Sequence, residues 1–408
     1  MNFALFSVGI SSLLSFLQLA ILSYILNVDT YVNFRAFINT MNNAAPFLCL
    51  GFDSAMPMLK KSNENFPFFW SLLLLYLLFF IIFFAIAIIS IDNSKFQVLL
   101  FGLTASLSLC GTTIIANLKR SNGNFKDYFL SLNILDKFLR FLIIIVLAIF
   151  FDDFINWAIS ASILFLMYLI FAAYRANIKP LFNFQILFRH IKKTFPFVVS
   201  SLGLFALTRF PFYAAFFFEG SYETAKVDFW LLASLLLLVP VLNSSKIEES
   251  RSGGNIYEYI HGMKNKRLTI SLQEFLILIS IFIATVVGIK IGKTIPQDIF
   301  EVILPLTLGM LFIGSIPNYA QLLCFDLKPK LGVVCSLTLL AILIGFCLCH
   351  SFLFKLPISI IFLISTILYF ILGLYVSMFL KIKFQDFFRV KRMIALGLIS
   401  ILSLVNLV

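Results

Sequence analysis

The chain has 408 residues, 61% of them hydrophobic and only 12% charged, with a formal net charge of +12, whereas soluble domains average about 25% charged residues. With a mean hydropathy of +1.03 it reads as an integral membrane protein, and no loop between its apolar runs is long enough for a separate soluble domain, which disfavours an enzyme built around one. Its six cysteines lie in apolar segments without paired spacing, its three histidines are scattered, and it has neither a glycine-rich phosphate loop nor a catalytic constellation, so no cofactor or metal is expected.

A helix needs about 20 mostly apolar residues to cross the hydrocarbon core. That criterion places spans at 6–26, 35–59, 67–91, 96–118, 128–150, 154–174, 196–218, 227–245, 268–289, 300–324, 331–353 and 356–380. The first run is too long and lacks the basic start of a secretory signal, so it is read as the first span. The last run, 393–408, fits either a short thirteenth span or an interfacial segment. The expected fold is an all-α polytopic membrane protein of about twelve helices in two six-helix lobes around a central cavity: an N-lobe over 1–174, a connector over 175–195, a C-lobe over 196–380, and a basic then apolar tail over 381–408.

Lys and Arg in alternate loops number 22 on one side and 6 on the other, with three more inside spans. Because short cytoplasmic loops are enriched in basic residues, the first set and the amino terminus are expected inside. Topology then explains most of the net charge, and no nucleic-acid partner need be invoked. In the connector, Leu181, Phe182, Phe184, Ile186, Leu187, Phe188 and Ile191 alternate with Arg189, Lys192 and Lys193. This suits a basic amphipathic helix on the membrane surface as well as it suits an ordinary cytoplasmic loop.

The charges inside the spans are the candidate site. Arg209 lies deep in the seventh span, where a cation costs about 2.5–3.5 kcal/mol on insertion scales and usually faces a bundle interior or a wet cavity. Pro211 follows it and is expected to interrupt the helix, as at transporter binding sites. In the fifth span, Asp136 and Arg140 are four residues apart and can pair on one face, with Lys137 nearly on that face. These three either snorkel to the headgroups or form the cationic inner part of a cavity. Asp53, late in the second span, and Glu274, in the ninth, are either headgroup-level residues or sites of ion coupling, with Glu301 opening the tenth span beside them. The tenth span also carries Pro305, Pro317, Asn318 and Gln321, a kinked stretch with amides to satisfy freed backbone groups.

Two stretches resemble a known family. Leu26-Asn27-Val28-Asp29-Thr30-Tyr31-Val32-Asn33-Phe34 and Leu50-Gly51-Phe52-Asp53-Ser54-Ala55 are similar to the connector and the late second span of Wzx-type polysaccharide flippases. These belong to the multidrug/oligosaccharidyl-lipid/polysaccharide exporter superfamily. Asn27 and Val32 stand where that family usually has glycine. The resemblance implies a non-enzymatic inner-membrane flippase carrying undecaprenyl-diphosphate-linked oligosaccharide, an O-antigen or capsule unit, to the periplasmic leaflet. It also implies alternating access coupled to protons or sodium, and a polysaccharide polymerase as a possible companion.

A diphosphate would need cationic partners, for which Arg209, Lys137, Arg140 and the gate-level Arg35 are the candidates. Asn133, Asn318, Gln321 and Tyr213 would face the glycan, and Asp53, Glu274 and Asp136 are the candidate ion-coupling groups. The competing readings are a multidrug exporter of the same superfamily and a membrane-embedded glycosyltransferase or polymerase.

Overall fold

The computed structural model describes residues 2–52, 69–90, 94–121, 123–151, 153–175, 182–252, 255–290, 296–315, 323, 329–352 and 357–379. All regular structure among them is helical, and each of the twelve predicted intervals contains a helix. The chain is an all-α polytopic membrane protein. Seven helical runs among the described residues are by themselves long and apolar enough to cross a bilayer. Two compact units divide it, Met1–Val198 and Val199–Val408.

In the first unit, α1 (Asn2–Ile25) is followed by α2 (Val28–Leu48), α3 (Phe69–Ile89) and α4 (Ser94–Ser121). Next come α5 (Phe125–Phe129), a π-helical turn over Leu130–Leu135, α6 (Asp136–Phe150) and α7 (Phe154–Arg175). Helix α4 is the centre, with 72% of its apolar window buried against 22% for α3, and it packs on α2, α3 and α7. It runs parallel to α2: Gly102 faces Phe37 and Thr40, and eight residues on, the Cys110 thiol donates to the Ala45 carbonyl at 3.3 Å. A Cβ on Gly102 would lie 2.7 Å from that of Thr40, so glycine sets this close approach. Trp157 of α7 is fully buried; its ring centroid lies 4.2 Å from Phe34 and its Nε1 donates to the Ile144 carbonyl at 3.2 Å, tying α2, α6 and α7 together.

The structure changes two boundaries. Helix α2 starts at Val28, not at 35, capped by Asn27 Oδ1 accepting from the Thr30 amide at 2.8 Å. The polar Asp29, Asn33 and Arg35 imitate a loop in a hydropathy reading, yet they lie on a packed helix. The predicted span to 59 is also broken, by a turn over Cys49–Gly51 in which Leu50 (φ 53°) and Gly51 (φ 76°) are left-handed. Asp53, Asn318 and Gln321 lie outside the described residues, as do residues 176–181 and the tail from 380.

Helix α8 (Phe184–Phe218) starts in the first unit and ends in the second. It joins part of the expected surface connector to the seventh span as one helix, and Pro211 does not interrupt it. Proline removes the donor to the carbonyl four residues back, here that of Leu207, but membrane helices tolerate this where neighbouring groups compensate.

The second unit continues with α9 (Ser221–Leu235), a 3₁₀ turn over Leu236–Leu238, α10 (Val239–Ser252), α11 (Ile256–Asn265) and α12 (Arg267–Lys290). It ends with α13 (Pro296–Asp298), a π-helical turn over Ile299–Ile303, α14 (Leu304–Gly314), α15 (Pro329–Phe352) and α16 (Ile358–Phe379). Both irregular turns precede a proline. Pro240 frees the Leu236 carbonyl at the start of the 3₁₀ turn, and Pro305 frees that of Glu301, which accepts a hydrogen bond from Ser359 Oγ of α16. Lys226 joins the start of α9 to α13 through ion pairs to Glu223 at 2.8 Å and Asp298 at 2.9 Å.

Candidate functional site

The sequence places Asp136 and Arg140 one helical turn apart at the start of α6, directly after the π turn. Both are buried, 3% and 6% exposed, so neither snorkels to the headgroups. Arg140 Nη2 donates to Asp136 Oδ2, Nε to the Asp136 main-chain carbonyl at 3.2 Å, and Nη1 to Asn42 Oδ1 of α2 at 2.7 Å. Asn42 in turn donates to the Ile38 carbonyl at 2.9 Å. The guanidinium thereby bridges two helices and neutralises the buried carboxylate, a pairing that is worth most when the remaining donors are also satisfied.

Around this pair the π turn arranges further polar groups. Lys119 Nζ of α4 donates to Ser131 Oγ at 2.8 Å, and Asn133 Nδ2 donates to Ser7 Oγ of α1 at 3.4 Å. Lys137 is half-buried beside them. Arg120, 2% exposed, sits 5.6 Å from the centroid of the Tyr128 ring. Single π turns inside α-helices recur at functional sites.

Arg35 is buried in α2, seven residues before Asn42 and four before the buried Asn39. The three therefore share one helix face over about 10 Å of its length. This stripe is the part of the site that sequence reasoning missed: Asn39 and Asn42 carry no charge, although their spacing from Arg35 has the helical period. Arg35 itself is not at a gate-level helix end, since its helix begins seven residues earlier.

In the second unit, Arg209 is half-buried on α8. Glu274 of α12 is buried, with Oε1 3.8 Å from where a Cβ on Gly314 would sit and the Leu238 side chain of the 3₁₀ turn 3.3 Å from that same point. Its carboxylate thus lies by the carbonyl end of α14, beside the irregular segment between α9 and α10. The structure brings Asp136, Lys137 and Arg140 together in the first unit, and Arg209 and Glu274 belong to the second. Among the described residues no three His, Cys, Asp or Glu side chains group so as to hold a metal ion.

No protein-family model matches the sequence, and no curated protein matches it. Solved structures do. A multidrug resistance MATE family transporter of the MOP superfamily, in an outward-facing conformation, is 14% identical with a TM-score of 0.57, covering 96% of each chain. A MOP superfamily transporter from Pyrococcus furiosus, described as having a binding pocket of reversed polarity that suggests a different function, is 15% identical with a TM-score of 0.56, covering 92% of this chain and 93% of its own. The fold is that of MOP-superfamily transporters. A third structure, of a MATE protein in complex with MaL6, is 14% identical with a TM-score of 0.56 and covers 96% of this chain and 94% of its own. Asp136 and Arg140 in the first unit and Glu274 in the second are buried within their helical units.

Proposed function

We propose that this protein is a flippase that carries an undecaprenyl-diphosphate-linked oligosaccharide, an O-antigen or capsule unit, from the cytoplasmic to the periplasmic leaflet of a bacterial inner membrane. The observation that carries this reading is the sign of the charge buried in the first unit. Among its described residues Arg35, Arg120 and Arg140 are buried against a single buried carboxylate, Asp136, and Lys137 is half-buried beside them. A cationic interior suits an anion that must be taken out of water, and guanidinium groups bind phosphate oxygens with a planar set of donors. Arg209 supplies a further cation in the second unit.

In this reading the protein works by alternating access, with the amino terminus inside and the basic loops cytoplasmic. Arg35, Lys137, Arg140 and Arg209, with Asn318 and Gln321, hold the diphosphate and sugars. Asp53, Asp136 and Glu274 are the groups assigned to proton or sodium coupling. A cation beside Glu274 would be stabilised both by its carboxylate and by the carbonyl end of α14. Asp136 would exchange its bond to Arg140 when a phosphate draws the guanidinium away.

The second reading, a multidrug exporter, is favoured by the MATE transporters among the structural neighbours. Cationic drugs would call for a surplus of buried carboxylates, the reverse of the first unit's charge but the pattern of the second, whose described residues bury Asp228, Glu248, Glu249, Glu274 and Asp298 and no Lys or Arg. The polarity reported for the Pyrococcus furiosus transporter supports the idea that this fold accepts pockets of either sign.

The deciding experiment is the sidedness of lipid-linked oligosaccharide in a deletion strain, read with an impermeant glycan-binding probe. The flippase reading expects intact lipid-linked glycan to accumulate on the cytoplasmic side. Glycan that never forms on the lipid would move the protein to synthesis, and normal display would favour drug export.

A further inference from the structure

Between Asp153 and Glu219 the sequence holds no acidic residue, and the first turns of α8 lie in that stretch. With about 100° of turn per residue, they sort into three stripes along the helix. Leu187, His190, Thr194 and Phe197 form the first, and all four are buried. Phe184, Phe188 and Phe195, spaced by four and then seven residues, form the second and are 40%, 59% and 55% exposed. Arg189, Lys192 and Lys193 form the third, exposed and directly beside the aromatic one. This end of α8 therefore buries one side and turns outward an aromatic edge joined to a cationic edge.

Two hydrogen bonds fix where these edges stand. The amide of Asn183, whose side chain caps α8 by accepting from the Ile186 amide at 3.0 Å, donates to Ser71 Oγ at 2.7 Å. Ser71 is the third residue of α3, which is long and apolar enough to span a membrane. Thr194 Oγ1 donates to the Leu50 carbonyl, just past the end of α2, at 2.7 Å. Helix α8 has 35 residues where about 20 suffice for the hydrocarbon core, and the apolar run 196–218 supplies those alone. Residues 184–195 are thus surplus to the span and belong to the headgroup layer at the ends of α2 and α3. The chain between those two helices does not cancel their charge, since Lys60 and Lys61 there offset Asp53 and Glu64. Arg189 and Lys192 have no ion-pair partner among the described residues.

We propose that this end of α8 is a binding surface for anionic phospholipid of the surrounding bilayer. Phe184, Phe188 and Phe195 enter the boundary between headgroups and acyl chains, while Arg189 and Lys192 donate to phosphate oxygens. Helices with such a pair of edges lie at membrane interfaces, and their hold grows with apolar area and with attraction to anionic lipid. The buried stripe keeps the segment in place, so lipid meets a fixed pattern of rings and cations. The proposal needs α3 to be a span but does not depend on which cargo the protein carries.

The test puts a photoreactive benzoylphenylalanine in place of Phe188 in the full-length protein, reconstituted in phosphatidylcholine vesicles that contain a minor fraction of phosphatidylglycerol. The captured lipid is identified by mass. Phosphatidylglycerol should be captured about fivefold or more above its mole fraction, as expected for basic residues near the surface. Arg189→Gln with Lys192→Gln, both at exposed positions, should return capture to the mole fraction. The same probe in place of Ile82, exposed in the middle of α3, should capture the two lipids in proportion to their abundance. Proportional capture at position 188, undiminished enrichment in the double variant, or equal enrichment at position 82 overturns the proposal. Capture of protein or of nothing at position 188 overturns the membrane as the partner.

Discussion

Arg140→Met is the most informative single change in the first unit. The side chain it removes makes the ion pair with Asp136, a bond to the Asp136 carbonyl and a bond to Asn42, and methionine fills similar volume without any of them. Breaking a buried ion pair from one side costs about 3–5 kcal/mol because the remaining charge has no partner. The lost bond to Asn42 is charge-assisted and of the kind worth about 1.5–3 kcal/mol, part of the same total. Replacing both partners, as in Asp136→Leu with Arg140→Met, removes the stranded charge and should recover stability to about the parent level or above it. The assay is thermal loss of the monodisperse fraction in detergent for the parent, both single variants and the double variant, analysed as a cycle. A stable Arg140→Met protein, or a double variant as unstable as that single one, would refute the claim that the pair is buried and mutually compensating. A stable double variant that no longer moves glycan would separate a role in transport from a role in folding.

Gly51→Ala puts a side chain on a left-handed residue against the Thr194 carbonyl, and should destabilise by at least about 1–2 kcal/mol, measured in the same thermal assay. Ser359→Ala leaves the Glu301 carbonyl, freed by Pro305, without the hydroxyl it accepts from; the expected loss is about 1–3 kcal/mol, and Ser359→Thr should retain most of the stability. Arg209→Ala should abolish display of surface glycan while membrane insertion stays normal, and full display at native expression would remove this residue from the site. Glu274→Gln should change the dependence of transport on protons or sodium, and an unaltered ion dependence in reconstituted vesicles would exclude Glu274 from coupling.

The extent of legibility in the sequence differs between the helices and the site for a physical reason. Hydropathy reports how long an apolar run is, so the spans could be placed from it, as with α3, α7 and α16. It does not report what a polar residue packs against. Asp29, Asn33 and Arg35 look like loop to a transfer scale, because the burial of α2 against α4 depends on residues some 65 positions away, such as the Cys110 that meets Ala45. Conversely, Leu50-Gly51-Phe52 looks like continuing helix to a hydropathy scale: Gly51 permits φ above zero, but nothing in Leu50 announces it. The left-handed turn becomes intelligible only with its partner, Thr194 Oγ1, which donates to the Leu50 carbonyl at 2.7 Å. The Leu-Gly of that short motif thus acquires a structural reason independent of any family: it lets the end of α2 meet α8.

The same distinction runs through the charged groups. The pairing of Asp136 with Arg140 could be read from their spacing, since four residues is one turn of any helix. That Arg140 also reaches Asn42, 98 residues away in sequence, could not. Prolines were half legible. Of those singled out in the sequence, Pro305 does follow an irregular turn, whereas Pro211 sits in a helix that runs on to Phe218. The carbonyl that Pro305 leaves without its helical donor accepts from Ser359, a residue of α16 more than 50 positions away, so the cost of this proline depends on the neighbouring helix as well as on the proline. By that argument the cost of Ser359→Ala should largely vanish in Pro305→Ala, where the helix supplies its own donor to Glu301. Equal costs in the two backgrounds would mean that the serine acts by packing alone.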